Sequence, residues 1–292
     1  MPLRIENAID MHCHFGPDTV GGKRRGGSGH SVTALDAAQE ARESGMKAVV
    51  LKSHSFASPQ VAAAMSEAVP GLQVFGGCCT DYPSGGLNVD GVDVALRLGA
   101  KIIWLPTVHS HQDWLNGKAE MMAIRGDGLH VIDRDTGEPN EEVRAIFDLV
   151  RQYDAILATG HTTAAEHYAV AKAFGREGKV LVTHAGEAAA GPHLTADQCR
   201  ELADLGATIE LTALTCDALF DGKGKSAPEM AQMIQTIGCA RCTLASDYGW
   251  TTAVPHPAAG LKDFLERLWK VGVGEADLTQ MAAAKPAELL GL

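Results

Sequence analysis

In the segment NAIDMHCHFGPD, residues 7–18, His12 and His14 fall at what reads as the end of a short apolar strand. Side chains alternate faces along a strand, so the two imidazoles point the same way and Cys13 points opposite. Two imidazoles on one face suit a shared divalent cation. Zinc, manganese and iron accept neutral imidazole nitrogen, and a sheet fixes both ligands before the metal arrives. Two partly exposed histidines at a strand end fit the same letters, so the rest of the chain decides.

Helix-period segments repeatedly end in glycine and pass into a short β-branched strand: ARESGMKAVVLKSH, EAVPGLQVFGG, LRLGAKIIWLPT, FGREGKVLVTH, LADLGATIELT and QTIGCARCTLASD. Gly45, Gly71, Gly99, Gly178, Gly206 and Gly238 are expected at helix C-caps in the left-handed conformation. With the first strand (7–14) and DAILATGH (154–161), these segments make eight strands, each followed by a helix. Near-continuous apolar runs such as AVVL, KIIWL and VLV fit parallel strands covered outside by helices. The expected fold is therefore α/β, a (β/α)8 TIM barrel formed by a single domain over 1–292, with an inserted excursion after strand 4. No Gly-X-Gly-X-X-Gly loop follows the first strand, which argues against a doubly wound sheet.

Inside the excursion, LHVIDRDTGEP reads as a small hairpin turning at Asp135-Thr136-Gly137, its acids turn formers rather than calcium ligands. The final EADLTQMAAAKPAELLGL reads as two short helical pieces, broken before Pro286 and packed across the barrel base. Thr163 with Glu166 and Thr195 with Gln198 match capping boxes, a structural role.

In a parallel barrel the C-terminal strand ends converge on one face. Strand one ends in His12 and His14, strand two in Lys52 and His54, and strand four runs on to His109 and His111. Strand five ends in His161, strand six in His184 and strand eight in Asp247. His12, His14, His161, His184 and Asp247 together place metal-ligand chemistry at four strand ends, which favours a metal site.

The motifs DMHCHF, ATGH, LVTHAG and LASDYG, with the ending KPAELLGL, resemble the amidohydrolase superfamily of metal-dependent (β/α)8 hydrolases. Within it the chain looks most like a poorly characterised amidohydrolase-like branch. The resemblance implies that His12 and His14 bind one metal with Asp247, that His161 and His184 complete the site, and that Asp247 also serves as base. Binuclear members often carry a carboxylated lysine at the end of the fourth strand. Here that strand ends WLPTVH, with Lys101 at its start. Lys52 is then either a substitute bridge, an anchor for a substrate carboxylate or a barrel-mouth ion pair, and the site holds one or two ions, Zn2+ first, with Mn2+ or Fe2+ as alternatives.

Such a site makes hydroxide available near neutral pH and polarises a carbonyl. The expected reaction is hydrolysis of an amide or cyclic amide C–N bond in a small molecule, with Asp247 as base and His54 as donor to a developing oxyanion. Lactonase, deaminase or decarboxylase chemistry on the same scaffold is the alternative, as is a non-catalytic metal-binding protein. His109 and His111 are further candidates for substrate contact. HAGE, residues 184–187, has counterparts in adenosine deaminases and makes Glu187 another candidate, against a polar-loop role. The glycine-rich first loop carries Lys23, Arg24 and Arg25, cations suited to closing over an anionic substrate.

Bulk properties narrow the partners. The chain has 292 residues, 46% hydrophobic and 21% charged, with a formal net charge of -11 that argues against nucleic acid and acidic membranes. No segment is apolar for long enough to span a bilayer, and MPLRIENAID lacks the pattern of a secretion signal, so a cytoplasmic location is expected. Seven cysteines, an odd count, suit reduced thiols. Oligomeric state stays open, a homo-oligomer included.

Overall fold

Eight parallel strands pair in chain order: β1 (Ile9–His14), β2 (Ala48–Lys52), β3 (Gln73–Cys79), β4 (Ala100–Trp104), β5 (Ile156–Ala158), β6 (Lys179–Val182), β7 (Thr208–Thr212) and β8 (Cys242–Ala245). The computed structural model describes residues 6–20, 29–217 and 224–292. Just beyond β8, the Asp247 N–H donates to the His12 carbonyl at 2.9 Å and the His14 N–H donates to the Tyr248 carbonyl at 2.8 Å. These bonds close the sheet into the expected (β/α)8 barrel.

The helices alternate with the strands. They are α1 (Ala34–Glu43), α2 (Pro59–Ala68), α3 (Val89–Arg97), α4 (His111–Leu115), α5 (Glu141–Gln152), α6 (Ala164–Phe174), α7 (Ala196–Asp204), α8 (Ala227–Ile237), α9 (Pro257–Lys270), α10 (Glu275–Thr279) and α11 (Lys285–Leu290). Their starts are set by the sequence: Thr33 with Asp36, Thr163 with Glu166, Thr195 with Gln198 and Ser226 with Glu229 form reciprocal capping boxes. No helix among the described residues is long and apolar enough to cross a membrane.

Two local expectations are corrected. Gly45, Gly71, Gly99, Gly206 and Gly238 take positive φ, but Gly178 does not; a side chain there would overlap the Phe174 ring, so packing excludes a Cβ. The C-terminal run is also not broken before Pro286. α10 passes through a π-helical turn, Gln280–Ala284, into α11, with Pro286 in the first turn of α11. The wider π turn accommodates a residue that has no N–H to donate. Leu289 and Leu290 pack against the barrel interior from below.

The excursion between β4 and α5 holds α4 and the small hairpin, with Ile132 bridged to Pro139. Asp133 Oδ1 accepts the N–H groups of Asp135 and Thr136 at 3.0 and 2.8 Å, the turn-forming role expected of an acid there.

Apolar packing forms two layers. One lies between sheet and helices and includes Cys13, Val49, Leu51 and Ile103; the other fills the barrel with Ile9, Met11, Val50, Ile102 and Trp104. β1 contributes to both by changing parity. Asp10 pairs with Val49 but Cys13 pairs with Leu51, so β1 contains one extra residue. This bulge lets Ile9 and Met11 face inward below it and His12 and His14 face inward above it. The fully buried Asp10 side chain holds the distortion: its Oδ1 accepts the N–H of His12 at 3.1 Å and of Ser246 at 3.0 Å.

Asp10→Ala is expected to leave both N–H groups unpaired and to lower stability by about 2–6 kcal/mol, at about 1–3 kcal/mol for each buried group. Asp10→Asn keeps a carbonyl acceptor and should cost less than half as much. Urea denaturation measures both, and an Asp10→Ala cost below that of Asp10→Asn would contradict the assignment.

Candidate metal centre and its cavity

His12 Nε2 and His14 Nε2 converge on a single oxygen, Asp247 Oδ1, at 3.1 and 3.0 Å. All three residues are buried. The tautomer of His12 follows from its two closest contacts: Nδ1 lies 2.9 Å from the Glu210 carboxylate, which only accepts, and Nε2 lies 2.8 Å from the Lys52 ammonium, which only donates, so the proton sits on Nδ1 and Nε2 carries the lone pair. His161 has the same arrangement, its Nδ1 lying 3.2 Å from Asp113 Oδ2. Carboxylates behind imidazoles raise ligand basicity and fix ring orientation, as metal centres require.

His161 and His184 complete the ring of imidazoles. The His184 ring centroid is 5.7 Å from that of His12 and 4.7 Å from that of His161. His184 Nδ1 is buried without a hydrogen-bond partner, a nitrogen left for a group other than protein. His184 and Asp247 both hold positive φ, +27° and +57°, a conformation that non-glycine residues adopt at a cost. Glu210 supports the first of these turns, because its Oε2 also accepts the His184 N–H at 3.0 Å. Glycines provide close approaches beside two of the ligands. Gly160, before His161, and Gly249, after Asp247, take positive φ where any Cβ would overlap the carbonyls of Leu105 and His14 respectively.

Burial sets the charge states. It pushes His14 down to about 3 and His161 and His184 well below the ordinary imidazole range, so all three are neutral near pH 7. Burial alone would raise Asp247, but the facing rings of His12, His14 and His184 outweigh it and hold the carboxyl well below its ordinary value. Neutral imidazoles around an ionised carboxylate are the protonation states that divalent cations bind.

Lys52 reaches into this cluster. It is 1% exposed, its Nζ lies 2.8 Å from His12 Nε2 and 5.4 Å from the Trp104 ring centre. Among the described residues it has no carboxylate partner, which removes the barrel-mouth ion pair as its role.

His14, Lys52, His161, His184 and Asp247 floor a cavity of about 710 Å³. Val108, Met121, Met122, Leu214 and Trp250 supply apolar wall, and Lys118, His109 and Glu187 polar wall. Burial pushes Glu187 up from its usual value. His54 also lines the cavity, with Nδ1 2.7 Å from Thr107 Oγ1. Thr107 in turn donates to Asp81, so His54 carries its proton on Nδ1 and offers a lone pair at Nε2. Burial lowers His54 from the ordinary imidazole range, so it stands neutral with an acceptor at Nε2 rather than the oxyanion donor expected of it. Asp81 also faces His109 Nδ1 at 3.2 Å.

The structure does not bring His111 to the cavity. It begins α4, its Nδ1 2.7 Å from the Asp127 carbonyl, and it stacks on Trp114 and lies tilted against His130 within the excursion. The Ser110 N-cap starts α4 at this point, and His111 packs within the excursion whereas His109 lines the cavity. Arg24 and Arg25, with Lys23, lie outside the described residues.

Glu210, Asp81, Asp113 and Thr107, which orient the imidazoles, are not evident from motif reading. One signal was present: TIELT places an acid in a strand buried on both faces, where an uncompensated charge is costly.

A family model matches residues 7–210. The chain belongs to the family of unknown function DUF6282. The match takes in His12, His14, Lys52, His161, His184 and Glu210 and ends before Asp247. No curated protein matches the chain. Among solved structures, an amidohydrolase from Pseudomonas aeruginosa is similar with a TM-score of 0.62 at 12% identity, covering 98% of this chain and 95% of that one. A 2,6-dihydroxybenzoate decarboxylase from Rhizobium gives 0.58 at 10% identity, over 98% and 99%. The metallopeptidase dipeptidase AC gives 0.62 at 16%, over 98% of both chains. The DUF6282 chain thus shares the barrel fold of these three structures.

Glu210→Ala is expected to weaken Zn2+ affinity about 10–100-fold, and Glu210→Gln, which keeps one acceptor for His12 and His184, to weaken it less. Titration against a competing chelator reads this out; unchanged affinity in Glu210→Ala would contradict the orienting role.

Proposed function

We propose that this DUF6282 chain is a metal-dependent hydrolase that cleaves an amide or cyclic amide C–N bond in a small, anionic molecule. The observation that carries the reading is the convergence of His12 Nε2, His14 Nε2 and Asp247 Oδ1 beneath a largely apolar cavity. His12, His14 and Asp247, with His161 and His184 beside them, would hold a divalent cation, Zn2+ first by its preference for imidazole and carboxylate, with Mn2+ or Fe2+ as alternatives. When bound, the cation supplies Lewis acidity, which acidifies water and polarises a carbonyl.

The remaining work belongs to side chains. Asp247, ionised and edged by imidazoles, accepts the proton of the attacking water and delivers it to the leaving nitrogen. His54, backed by Thr107 and Asp81, accepts the other proton of that water as the product carboxylic acid ionises, its charge balanced through Thr107 by the buried Asp81 carboxylate. Lys52 meets a substrate carboxylate at the cavity floor; carboxylated by CO2, it would instead supply a carboxylate that could help hold a second ion. The walls of Val108, Met122 and Leu214 exclude water and hold an apolar substrate body.

Lys52 also favours a second reading. A buried amino group without a carboxylate partner beside the candidate ligands suits a carboxylate that is itself lost, so decarboxylation of a small aromatic acid is the alternative.

Zn2+-loaded protein is expected to turn over members of a panel of amides and cyclic amides with release of amine and acid, and Asp247→Asn to lose about 10²–10⁴-fold in kcat/KM while retaining its circular dichroism. Release of CO2 from aromatic acids without amide turnover would replace hydrolysis by decarboxylation. Full activity in Asp247→Asn, or no turnover by metal-loaded wild type across amides, lactones and carboxylic acids, would refute the proposal.

A further inference from the structure

A second cluster of ligand-type side chains stands in the excursion after β4, apart from the barrel floor. One ring nitrogen from each of His111 and His130 and one carboxylate oxygen of Asp127 all lie within 4.8 Å of one another. The two imidazole centroids are 4.2 Å apart, and Trp114 stacks on His111 at 5.4 Å. His111 Nδ1, 2.7 Å from the Asp127 carbonyl, carries the ring proton, so Nε2 keeps a lone pair. His130 Nε2 is buried without a well-aligned hydrogen-bond partner, the nearest carboxylate being Asp127 Oδ2 at 3.4 Å.

The backbone builds this convergence. The His111 N–H donates to the Leu129 carbonyl at 3.0 Å and the Leu129 N–H donates to the His109 carbonyl at 2.8 Å, which brings the start and end of the excursion's first half side by side. Gly128 takes φ +91° where a Cβ would meet the Ser110 carbonyl, so the two backbones touch directly before His130. Arg134 pairs with Asp127 Oδ2 and balances its charge.

We infer that His111, Asp127 and His130 form a second divalent-cation site, of the zinc type, that clips the excursion closed. Two imidazoles and a carboxylate, with water in the fourth position, make a complete tetrahedral set for Zn2+. Bonds of about 2.0–2.2 Å put such ligands roughly 3.4 Å apart, a contraction that side-chain rotation supplies. Between His111 and Asp127 the chain carries Lys118, Met121, Met122 and Ala123, all of which line the barrel cavity. The cation would therefore fix one wall of that cavity. The inference stands on different residues from the proposed reaction and holds or fails independently of it.

The test uses Zn2+ alone as ligand, with isothermal titration and trypsin cleavage after the exposed Arg125 as readouts. Wild type, His130→Gln, His111→Phe and a His12→Asn, His14→Asn double variant are each compared with their own zinc-free state, so that general loosening of the loop does not imitate loss of zinc. Zinc is expected to slow cleavage at least tenfold in wild type and in the double variant, and to have no effect in His130→Gln or His111→Phe. Loss of one zinc equivalent in each excursion variant, with the barrel equivalent retained, is the matching result by titration. Equal protection in wild type and both excursion variants, as adventitious surface zinc would give, overturns the inference. So does a wild type whose only zinc equivalent disappears in the double variant.

Discussion

The Asp10 carboxylate, buried at the seam where the barrel closes, is the constraint on which the site depends. By accepting the N–H groups of His12 and Ser246 it stabilises an extra residue in β1 and ties β8 to it. The extra residue reverses the parity of β1. Below it, Ile9 and Met11 fill the barrel; above it, His12 and His14 enter the same interior and meet Asp247, which the seam delivers from the other side. A regular strand would send either the apolar pair or the histidine pair outward.

Once inside, the imidazoles are held by acceptors set behind them. Glu210 takes the His12 ring proton and the His184 backbone N–H, Asp113 faces His161, and Asp81 reaches His54 through Thr107. Each acid orients a ring and leaves a lone pair directed into the site, while burial keeps His14, His161 and His184 neutral. The strained backbone at His184 and Asp247 belongs to the same design: a positive φ directly after a strand turns the side chain back over the barrel mouth. The result is an electron-rich focus at the floor of an apolar cavity, with Lys52 as its one buried cation among the described residues.

The barrel was legible because its signals are repeated and local. Apolar strand runs, glycines after helices and capping boxes each act over a few residues, and all eight strands follow from them in order. The strand-end residues His12, His14, His161, His184 and Asp247 were legible for the same reason, since barrel topology alone brings strand ends together. What escaped depends on distance or on a single inserted residue. Glu210 meets His12 across the barrel, far away in sequence, and the β1 bulge changes parity without altering composition. His111 was misplaced because a strand-end rule was extended into an irregular excursion, where the Ser110 cap rather than strand parity decides direction. Gly178 shows that a glycine after a helix can be required by a neighbouring ring instead of a left-handed turn.

The central claim is that His12, His14 and Asp247 form a cation site at the barrel floor. Anomalous diffraction from crystals of protein purified without chelator, recorded across the zinc, iron and manganese edges, tests it most directly. The account predicts a peak at bonding distance, about 2.0–2.3 Å, from His12 Nε2, His14 Nε2 and an Asp247 oxygen, with Lys52 Nζ displaced from His12. Crystals soaked in Zn2+ that show no peak at these atoms, with Lys52 still against His12 Nε2, would contradict it.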